Sequence, residues 1–546
     1  MKQRITVTPG GRYFQVEGGT GGARSFFPSG HNFLTAAKDD QDLRLAAELG
    51  ENVIRIWPDA GLAGKYDVER LGLVFDGAAR HGLWILLTIF DAGPLTDLYS
   101  GRCRFLASKD TMFNDVCSRP EEVFTNPKAL TLFKERLGEF LDRWGDRDNI
   151  FGWECNQMDG VYTVAEERVT AWVEDVIAFI KNYEEKRWGI TRPCGVSSFD
   201  PFPTWDLFYN GAGVDFLAGH AYTDSVKSPL NSVDGALHIA AGCRYALTRS
   251  RRPKPYLDTE SGPMAHVFDW ILPRPPQSLM DELYGNMIWT HVAAGGAGHS
   301  MFIPVSDHEL RHPTSDRRGS VIANRLSPGQ AERLKGLLAQ VAGTDWRDFD
   351  PVDAAAAGEV SAGDWGGWVL ATRDRRTGLT FGYLLQDTRL SDAAAVVRAA
   401  LDEKGPCGPD DYNRRLFALD VWMGLVRQAN LELTSFFTHE QLGIIVRASR
   451  EDNHIYPYAC VKVDEILAKM KAVTRWDVSM ANLVQAESGQ VAPSLRFSGY
   501  PAALFEVLWV NPAGGQILRR DQVSGPNIAL TAPSFSRSLA FKVSPV

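Results

Sequence analysis

The sequence has few cysteines, and none of them form a recognisable pair. Seven cysteines are spread over 546 residues, at positions 103, 117, 155, 194, 243, 407 and 460. The number is odd and no C-x-x-C spacing occurs, which argues against a disulfide framework and against a cysteine-based metal or redox site. We therefore expect these residues to be reduced, buried thiols.

The chain also lacks an excess of positive charge and any long apolar run. Its formal net charge is −9 and its pI about 5.7, which argues against nucleic acid or an anionic membrane as a partner. The longest apolar run, Leu83–Phe90, is interrupted by Thr88 and is far too short to span a bilayer. Residues 1–7 lack the apolar core of a signal peptide, so a cytoplasmic protein is expected.

Several motifs that would mark other kinds of enzyme are missing. No HExxH or similar paired-ligand spacing occurs among the histidines, so we expect no metal. No glycine-rich phosphate fingerprint follows the early strands, which removes the main argument for a bound nucleotide. The GxSxG motif of esterases is absent as well. We therefore expect neither a metal nor a cofactor.

A regular alternation of strands and helices is what the first part of the chain does contain. Eight apolar segments are predicted as strands, at residues 25–33, 52–58, 83–90, 150–156, 193–197, 214–220, 254–260 and 298–303. Segments with helical spacing of apolar residues lie between and after them, at 39–49, 68–80, 127–144, 164–188, 236–250, 279–293 and 330–341. The pattern predicts an α/β fold, a (β/α)8 barrel over residues 1–344 with a short β lead-in.

The pattern changes after about residue 345. Paired strand signals at 368–372 and 379–385, and at 505–512 and 515–518, flank turn residues and indicate hairpins. A last strand is predicted at 538–543. Residues 345–546 are therefore predicted to form a smaller C-terminal β-sandwich, with a helical insertion at about 391–482.

The stretch 149–159, Asn-Ile-Phe-Gly-Trp-Glu-Cys-Asn-Gln-Met-Asp, suggests where chemistry takes place. It begins as an apolar run and ends in polar side chains, as a buried barrel strand does where it reaches the C-terminal mouth. A second such stretch, 255–262, reads Pro-Tyr-Leu-Asp-Thr-Glu-Ser-Gly. Because the first is the fourth predicted strand and the second the seventh, their ends lie across the mouth from each other.

Both stretches resemble strands of the clan A glycoside hydrolases, the family 5-like cellulase and mannanase superfamily. In that superfamily the fourth strand ends Asn-Glu, where the Glu is the acid/base, and the seventh ends at a nucleophilic Glu. The resemblance implies a retaining glycoside hydrolase acting on a carbohydrate, with Glu260 as nucleophile and position 157 as acid/base. Here the fourth strand ends Asn156-Gln157, so an amide occupies the place of the proton donor.

Further site residues follow from the same resemblance. Arg55 matches an arginine that orients the nucleophile, and Asn156 an asparagine that binds the sugar 2-hydroxyl. His220 and Tyr222 match a pair near the nucleophile on the sixth strand.

The remaining candidates are less closely tied to the family pattern. His31, Asn32, Trp57 and Phe90 are candidate subsite residues, with core packing as the alternative for the aromatic ones. Asp91, and Asp159 beyond the fourth strand, are alternative proton donors; Glu154 and Asp258, which precede strand ends, are interpreted as supporting groups. The superfamily's usual Trp at the end of strand eight is missing from 301–304, Met-Phe-Ile-Pro.

The amide at position 157 has three explanations. An amide cannot act as a general acid. The residue is a deliberate Glu→Gln substitution that traps substrate, or the chain is a natural sugar-binding pseudoenzyme, or another carboxyl group supplies the proton. The intact surroundings favour the first explanation and then the second. A transglycosylase is a close variant of the enzymatic reading.

Overall fold

The computed structural model describes residues 3–19, 21–33, 40–58, 62, 67–92, 111–157, 164–198, 205–222, 232–262, 277–303, 325–363, 365–386, 490–501 and 503–546. The predicted helical insertion at 391–482 lies outside these residues. The described part consists of a small antiparallel lead-in sheet, a parallel sheet surrounded by helices, and two further antiparallel sheets.

The parallel sheet has seven strands whose order in space follows their order in the chain. Its strands are β4 (Gly30–Phe33), β5 (Val53–Ile56), β6 (Trp84–Thr88), β7 (Ile150–Gln157), β8 (Cys194–Ser197), β9 (Phe216–Tyr222) and β10 (Tyr256–Gly262). Their residues are almost all buried, because the strands face a packed interior on one side and helices on the other. Every pairing in this sheet is parallel.

Seven of the helices that cover the sheet agree closely with the predicted ones, and the short helix Leu207–Asn210 was not predicted. They span Asp40–Glu48, Val68–Arg80, Pro127–Trp144, Glu166–Trp188, Leu207–Asn210, Ser232–Arg249, Gln277–Ala293 and Pro328–Val341. Three begin at a polar residue whose side chain accepts a hydrogen bond from the first turn: Asp67, Asn126 and Ser327. Such caps explain why these helix starts could be read from sequence.

The predicted eighth strand closes the sheet into a barrel. Phe302 forms a parallel bridge with Ser261 in the seventh barrel strand, and its carbonyl oxygen accepts a hydrogen bond of 3.0 Å from the Asn32 N–H in the first. Met301 N–H also donates to the Asp258 carbonyl at 2.8 Å. The segment therefore lies between β10 and β4, and the (β/α)8 barrel is confirmed.

The β lead-in covers the N-terminal end of the barrel. It is a three-stranded antiparallel sheet of β1 (Arg4–Val7), β2 (Phe14–Glu17) and β3 (Arg24–Phe26). Phe14 lies in edge-to-face contact with Phe151 and Phe216, near the starts of the fourth and sixth barrel strands. Aromatic rings therefore close the N-terminal end of the barrel.

The C-terminal strands form two facing antiparallel sheets. A six-stranded sheet contains β11 (Pro351–Asp353), β13 (Trp368–Asp374), β14 (Thr380–Leu385), β16 (Leu504–Val510), β17 (Ile517–Ser524) and β19 (Ser538–Pro545). A three-stranded sheet contains β12 (Val360–Ser361), β15 (Ser494–Phe497) and β18 (Ile528–Thr531). Residues of both sheets share one apolar cluster, as in a sandwich.

The six-stranded sheet also packs against the barrel with its other face. Along β14, Phe381, Tyr383 and Leu385 belong to the barrel's apolar cluster, whereas Leu384 belongs to the sandwich. This alternation follows from the two-residue period of a strand. Tyr383 donates a hydrogen bond of 2.5 Å to Asn286 and stacks on Trp289, with 6.2 Å between ring centroids.

Two further expectations concern cysteines and membranes. Cys117, Cys155, Cys194 and Cys243 are free thiols, and all but Cys117 are buried; the other three cysteines lie outside the described residues. In the described part of the chain, no helix has the length and apolar character needed to cross a bilayer.

Truncation of Tyr383 should measure the strength of this barrel–sandwich contact. The ring is fully buried, so Tyr383→Ala should lower the free energy of unfolding by about 3–5 kcal/mol through lost burial and a residual cavity. Tyr383→Phe keeps the ring and should cost only about 1 kcal/mol for the lost hydrogen bond. Urea denaturation of both variants provides the test, and equal losses would contradict the packing role.

Candidate active site

A buried ionic cluster lies near the C-terminal ends of the barrel strands. It brings together Arg55 from β5, Glu154 from β7, His220 and Tyr222 from β9, and Glu260 from β10. Four of these five residues were predicted as site residues from the family resemblance. They meet because parallel strands place their carboxyl ends at the same rim.

Arg55 is the centre of the cluster. Its Nε and Nη2 donate hydrogen bonds of 2.7 and 2.5 Å to the two carboxylate oxygens of Glu154. Its Nη1 donates to Glu260 Oε1 at 2.7 Å and to Asn32 Oδ1 at 3.1 Å. Burial by itself lowers the pKa of Arg55, but the two carboxylates outweigh burial and the net pKa is raised. The guanidinium is therefore permanently charged.

The Glu260 carboxylate is held at both oxygens. Arg55 donates to Oε1, and the Tyr222 hydroxyl donates to Oε2 at 2.5 Å. His220 Nδ1 lies 3.4 Å from the same Oε2, without the geometry of a hydrogen bond. Only 5% of Glu260 is exposed, so its carboxylate is fixed in orientation and largely shielded from solvent.

His220 is an uncharged imidazole in this setting. Burial, and then the positive charge of Arg55, lower the pKa of His220 to about 3. Neither ring nitrogen has a hydrogen-bond partner in the described part of the chain. A neutral imidazole can donate from one nitrogen and accept at the other, so the ring is suited to a ligand hydroxyl.

Asn156 is a second polar group without a partner. Its side chain is fully buried, and neither amide atom is hydrogen-bonded to any described residue. Since an unsatisfied buried amide is costly, a ligand or solvent must supply its partners. Asn156 precedes Gln157, the last residue of β7, whose backbone pairs with Ser197 of β8.

Each of the two strands that carry a predicted catalytic position has a shift in its pairing register shortly before that position. The shift in β7 falls between Glu154 and Asn156, and that in β10 between Asp258 and Glu260. Bulges of this kind turn the following side chains away from strict alternation. This is why the directions of side chains at these strand ends cannot be read from the two-residue period.

Asn32 and His31 have contacts with other residues of the fold. Asn32 accepts from Arg55, and its amide nitrogen donates to the carbonyls of Thr259 and Met301 at 3.0 and 2.8 Å. Its hydrogen-bonding capacity is thus used to close the barrel. His31 is 1% exposed, lies 2.8 Å from Glu51 and stacks on Phe33; a sugar contact at either residue stays a prediction.

The remaining candidates divide between rim and core. The Arg55 guanidinium stacks on the Trp57 ring at 4.1 Å, which places Trp57 at the rim of the site. Asp91 is half-buried directly after Phe90, beyond the third barrel strand. Phe90 itself is core: it is fully buried and packs on rings that include Phe133 and Trp172.

Two polar residues that the sequence analysis did not single out belong to the cluster's surroundings. The Ser197 hydroxyl donates to Glu154, and the Ser300 hydroxyl donates to Asp258. Burial raises the pKa of Asp258, which favours its neutral form. Ser197 is the last residue of a buried strand, which is the signal that could have revealed it. No group of three or more metal-ligating side chains occurs among the described residues.

Two solved structures that are similar to this chain in fold are described as glycoside hydrolases. A structure described as "Glycoside hydrolase" is matched over 100% of this chain and 97% of its own, with 12% identity and a TM-score of 0.56. A glycoside hydrolase family 5 structure from Bacteroides vulgatus ATCC 8482 is matched over 99% and 92%, with 11% identity and a TM-score of 0.53. No family model and no curated protein matches the sequence.

These matches confirm the architecture expected from sequence. They extend over nearly the whole of each chain, so the likeness is not limited to the barrel. The identities are low, and the likeness is one of fold.

The neutral state of His220 has a measurable consequence for stability. Between pH 6.5 and about 3 the unfolded chain binds a proton at His220 and the folded chain does not, so protonation favours unfolding as the pH falls. His220→Gln should therefore lose less stability between pH 7 and pH 5 than the unmodified chain. Urea denaturation at the two pH values measures this, and an unchanged pH dependence would contradict a neutral buried His220.

Proposed function

We propose that the chain is built as a retaining glycoside hydrolase, with Glu260 as nucleophile and position 157 as the acid/base position. The observation that carries the proposal is the Glu260 carboxylate, held at both oxygens by Arg55 and Tyr222. It lies near the C-terminal ends of the strands of a barrel whose fold is shared with glycoside hydrolases. Its substrate is an oligosaccharide, polysaccharide or other glycoside.

The geometry suits Glu260 to attack an anomeric carbon. A nucleophilic carboxylate must be ionised and held in one orientation. Arg55 favours the ionised form and, together with the Tyr222 hydroxyl, fixes the rotation of the carboxyl group. The unpartnered groups of Asn156 and His220 supply hydrogen bonds to sugar hydroxyls near the same point, and such bonds strengthen in an oxocarbenium-like transition state.

Gln157 determines which substrates can react. Departure of an ordinary alkoxide requires protonation by a general acid, and the amide of Gln157 cannot supply that proton. A substrate whose leaving group departs as a stable anion has no such requirement. This chain should therefore form a glycosyl–enzyme from activated glycosides while failing to hydrolyse natural ones.

Restoring a carboxyl group at position 157 should restore hydrolysis. Gln157→Glu is expected to raise the rate on unactivated aryl and oligosaccharide substrates by about 10²–10⁴-fold, the usual contribution of general acid–base catalysis. A panel of sugars and linkages, with product analysis, measures this. The matched control is Gln157→Glu combined with Glu260→Gln, which should remain inactive. No gain on any substrate would contradict the assignment of position 157.

The nucleophile can be identified in the chain as it stands. Incubation with a panel of 2,4-dinitrophenyl glycosides should give a covalent adduct on Glu260, because the intermediate forms but lacks a general base for its breakdown. Azide, which needs no such base, should then accelerate turnover. Peptide mass spectrometry locates the adduct, and an adduct on another residue would refute the role of Glu260.

A non-catalytic carbohydrate-binding protein is the second candidate, and the amide at 157 is the observation that favours it. It predicts sugar binding, no adduct on Glu260 and no hydrolysis by Gln157→Glu. A transglycosylase differs from both because an added acceptor sugar would outcompete water for the intermediate.

A further inference from the structure

Glu154 is a buried carboxylate that the proposed reaction does not itself require. It is 0% exposed and lies on the fourth barrel strand, three residues before position 157. Its Oε2 accepts from Arg55 Nε, and its Oε1 accepts from both Arg55 Nη2 and the Ser197 hydroxyl. These donors hold both oxygens of the carboxylate in one position. Its described contacts do not include a reacting atom.

The paired hydrogen bonds with Glu154 determine where Arg55 points. A guanidinium is planar and presents its donors in a rigid fork. Once Nε and Nη2 bind the two oxygens of Glu154, the direction of Nη1 is set by the same plane. Nη1 is the nitrogen that donates to Glu260 at 2.7 Å. Glu154, bound on the other side of the guanidinium, therefore sets the direction of the hydrogen bond to the proposed nucleophile.

Glu154 also changes how strongly Arg55 neutralises Glu260. One positive charge is shared between two carboxylates, which leaves the trio with a net charge of −1. Without Glu154 the arginine would belong to Glu260 alone, and a carboxylate in an exclusive ion pair is a weaker nucleophile. Glu154 therefore competes with Glu260 for the charge of Arg55.

We propose that Glu154 is a positioning residue for Glu260, acting through Arg55, and that Ser197 holds Glu154 in its place. The inference rests on the proposed function, since it assigns Glu154 a part in the reactivity of that nucleophile. The charged and titratable groups around the two carboxylates are, among the described residues, Arg55, Tyr222, His220 and Asp258.

The chain offers a matched control for a purely structural role. Glu184 is equally buried, accepts from Arg192 Nη1 at 2.5 Å and from Trp153 Nε1 at 3.0 Å, and lies in the helix layer outside the barrel. Glu184→Gln therefore breaks the same kind of ion pair in the same fold. If Glu154 served only to stabilise the barrel, the two substitutions would have the same consequences.

The test follows the titration of Glu260 directly. The protein is labelled with ¹³C at the glutamate carboxyl carbon, and the Glu260 resonance is identified by its loss in Glu260→Gln. In Glu154→Gln the titration midpoint of this resonance should move to lower pH by about one unit, because a neighbouring negative charge is removed. Adduct formation with the reactive 2,4-dinitrophenyl glycoside should become about tenfold slower. Glu184→Gln should change neither.

Ser197→Ala gives a second test that does not depend on the folding of Glu154→Gln. With one donor fewer, Glu154 binds Arg55 more strongly and Arg55 stabilises the Glu260 carboxylate less, so the midpoint should move to higher pH. The opposite directions distinguish positioning from a general disturbance. An unmoved midpoint in Ser197→Ala, or equal shifts in Glu154→Gln and Glu184→Gln, would overturn the inference.

The same data separate this inference from the proposed function. Titration shifts of the expected sign without any adduct on Glu260 would support the coupling between the two carboxylates while refuting the hydrolase. If an adduct forms on Glu260 but the titration midpoint of its resonance is the same with and without Glu154→Gln, the hydrolase is supported and the positioning role is refuted.

Discussion

A buried guanidinium is the constraint on which the site depends. Arg55 is completely enclosed by protein, and a charge in such a place is tolerated only when it is paired and hydrogen-bonded. Its partners come from three other strands of the barrel: Asn32, Glu154 and Glu260. A slip of any of these strands by one residue would turn its partner to the other face and leave the charge unpaired.

The constraint ties barrel closure to chemistry. Asn32 accepts from the arginine with its oxygen and donates with its nitrogen to the carbonyls of Thr259 and Met301. The amide thereby joins the first, seventh and eighth strands at the level of Glu260. The same hydrogen bonds that complete the barrel also locate the carboxylate that we propose as nucleophile.

The sequence allowed the order of elements and the cluster's main members to be predicted, and the physical reasons are local. The ends of capped helices with apolar stripes can be predicted from local residues, as for Val68–Arg80 and Pro127–Trp144. Arg55 and Tyr222 were predicted from the family resemblance, and Glu260 from that resemblance together with its place at the end of an apolar strand. What could not be predicted was side-chain direction. His31 and Asn32 are neighbours in one strand, and only the register with other strands decides that Asn32 faces the arginine and His31 faces Glu51.

The six-stranded C-terminal sheet separates two apolar cores, one on each of its faces. Leu384 belongs to the sandwich core, whereas Phe381 and Tyr383 belong to the barrel's apolar cluster. Gly336 and Gly515 approach so closely across the boundary that a Cβ at Gly336 would lie 2.6 Å from the Gly515 nitrogen. A sheet shared in this way cannot lose one core without exposing the apolar side chains of the other. The barrel and the sandwich should therefore melt as one cooperative unit, and a fragment cut between them would present an apolar sheet face to solvent.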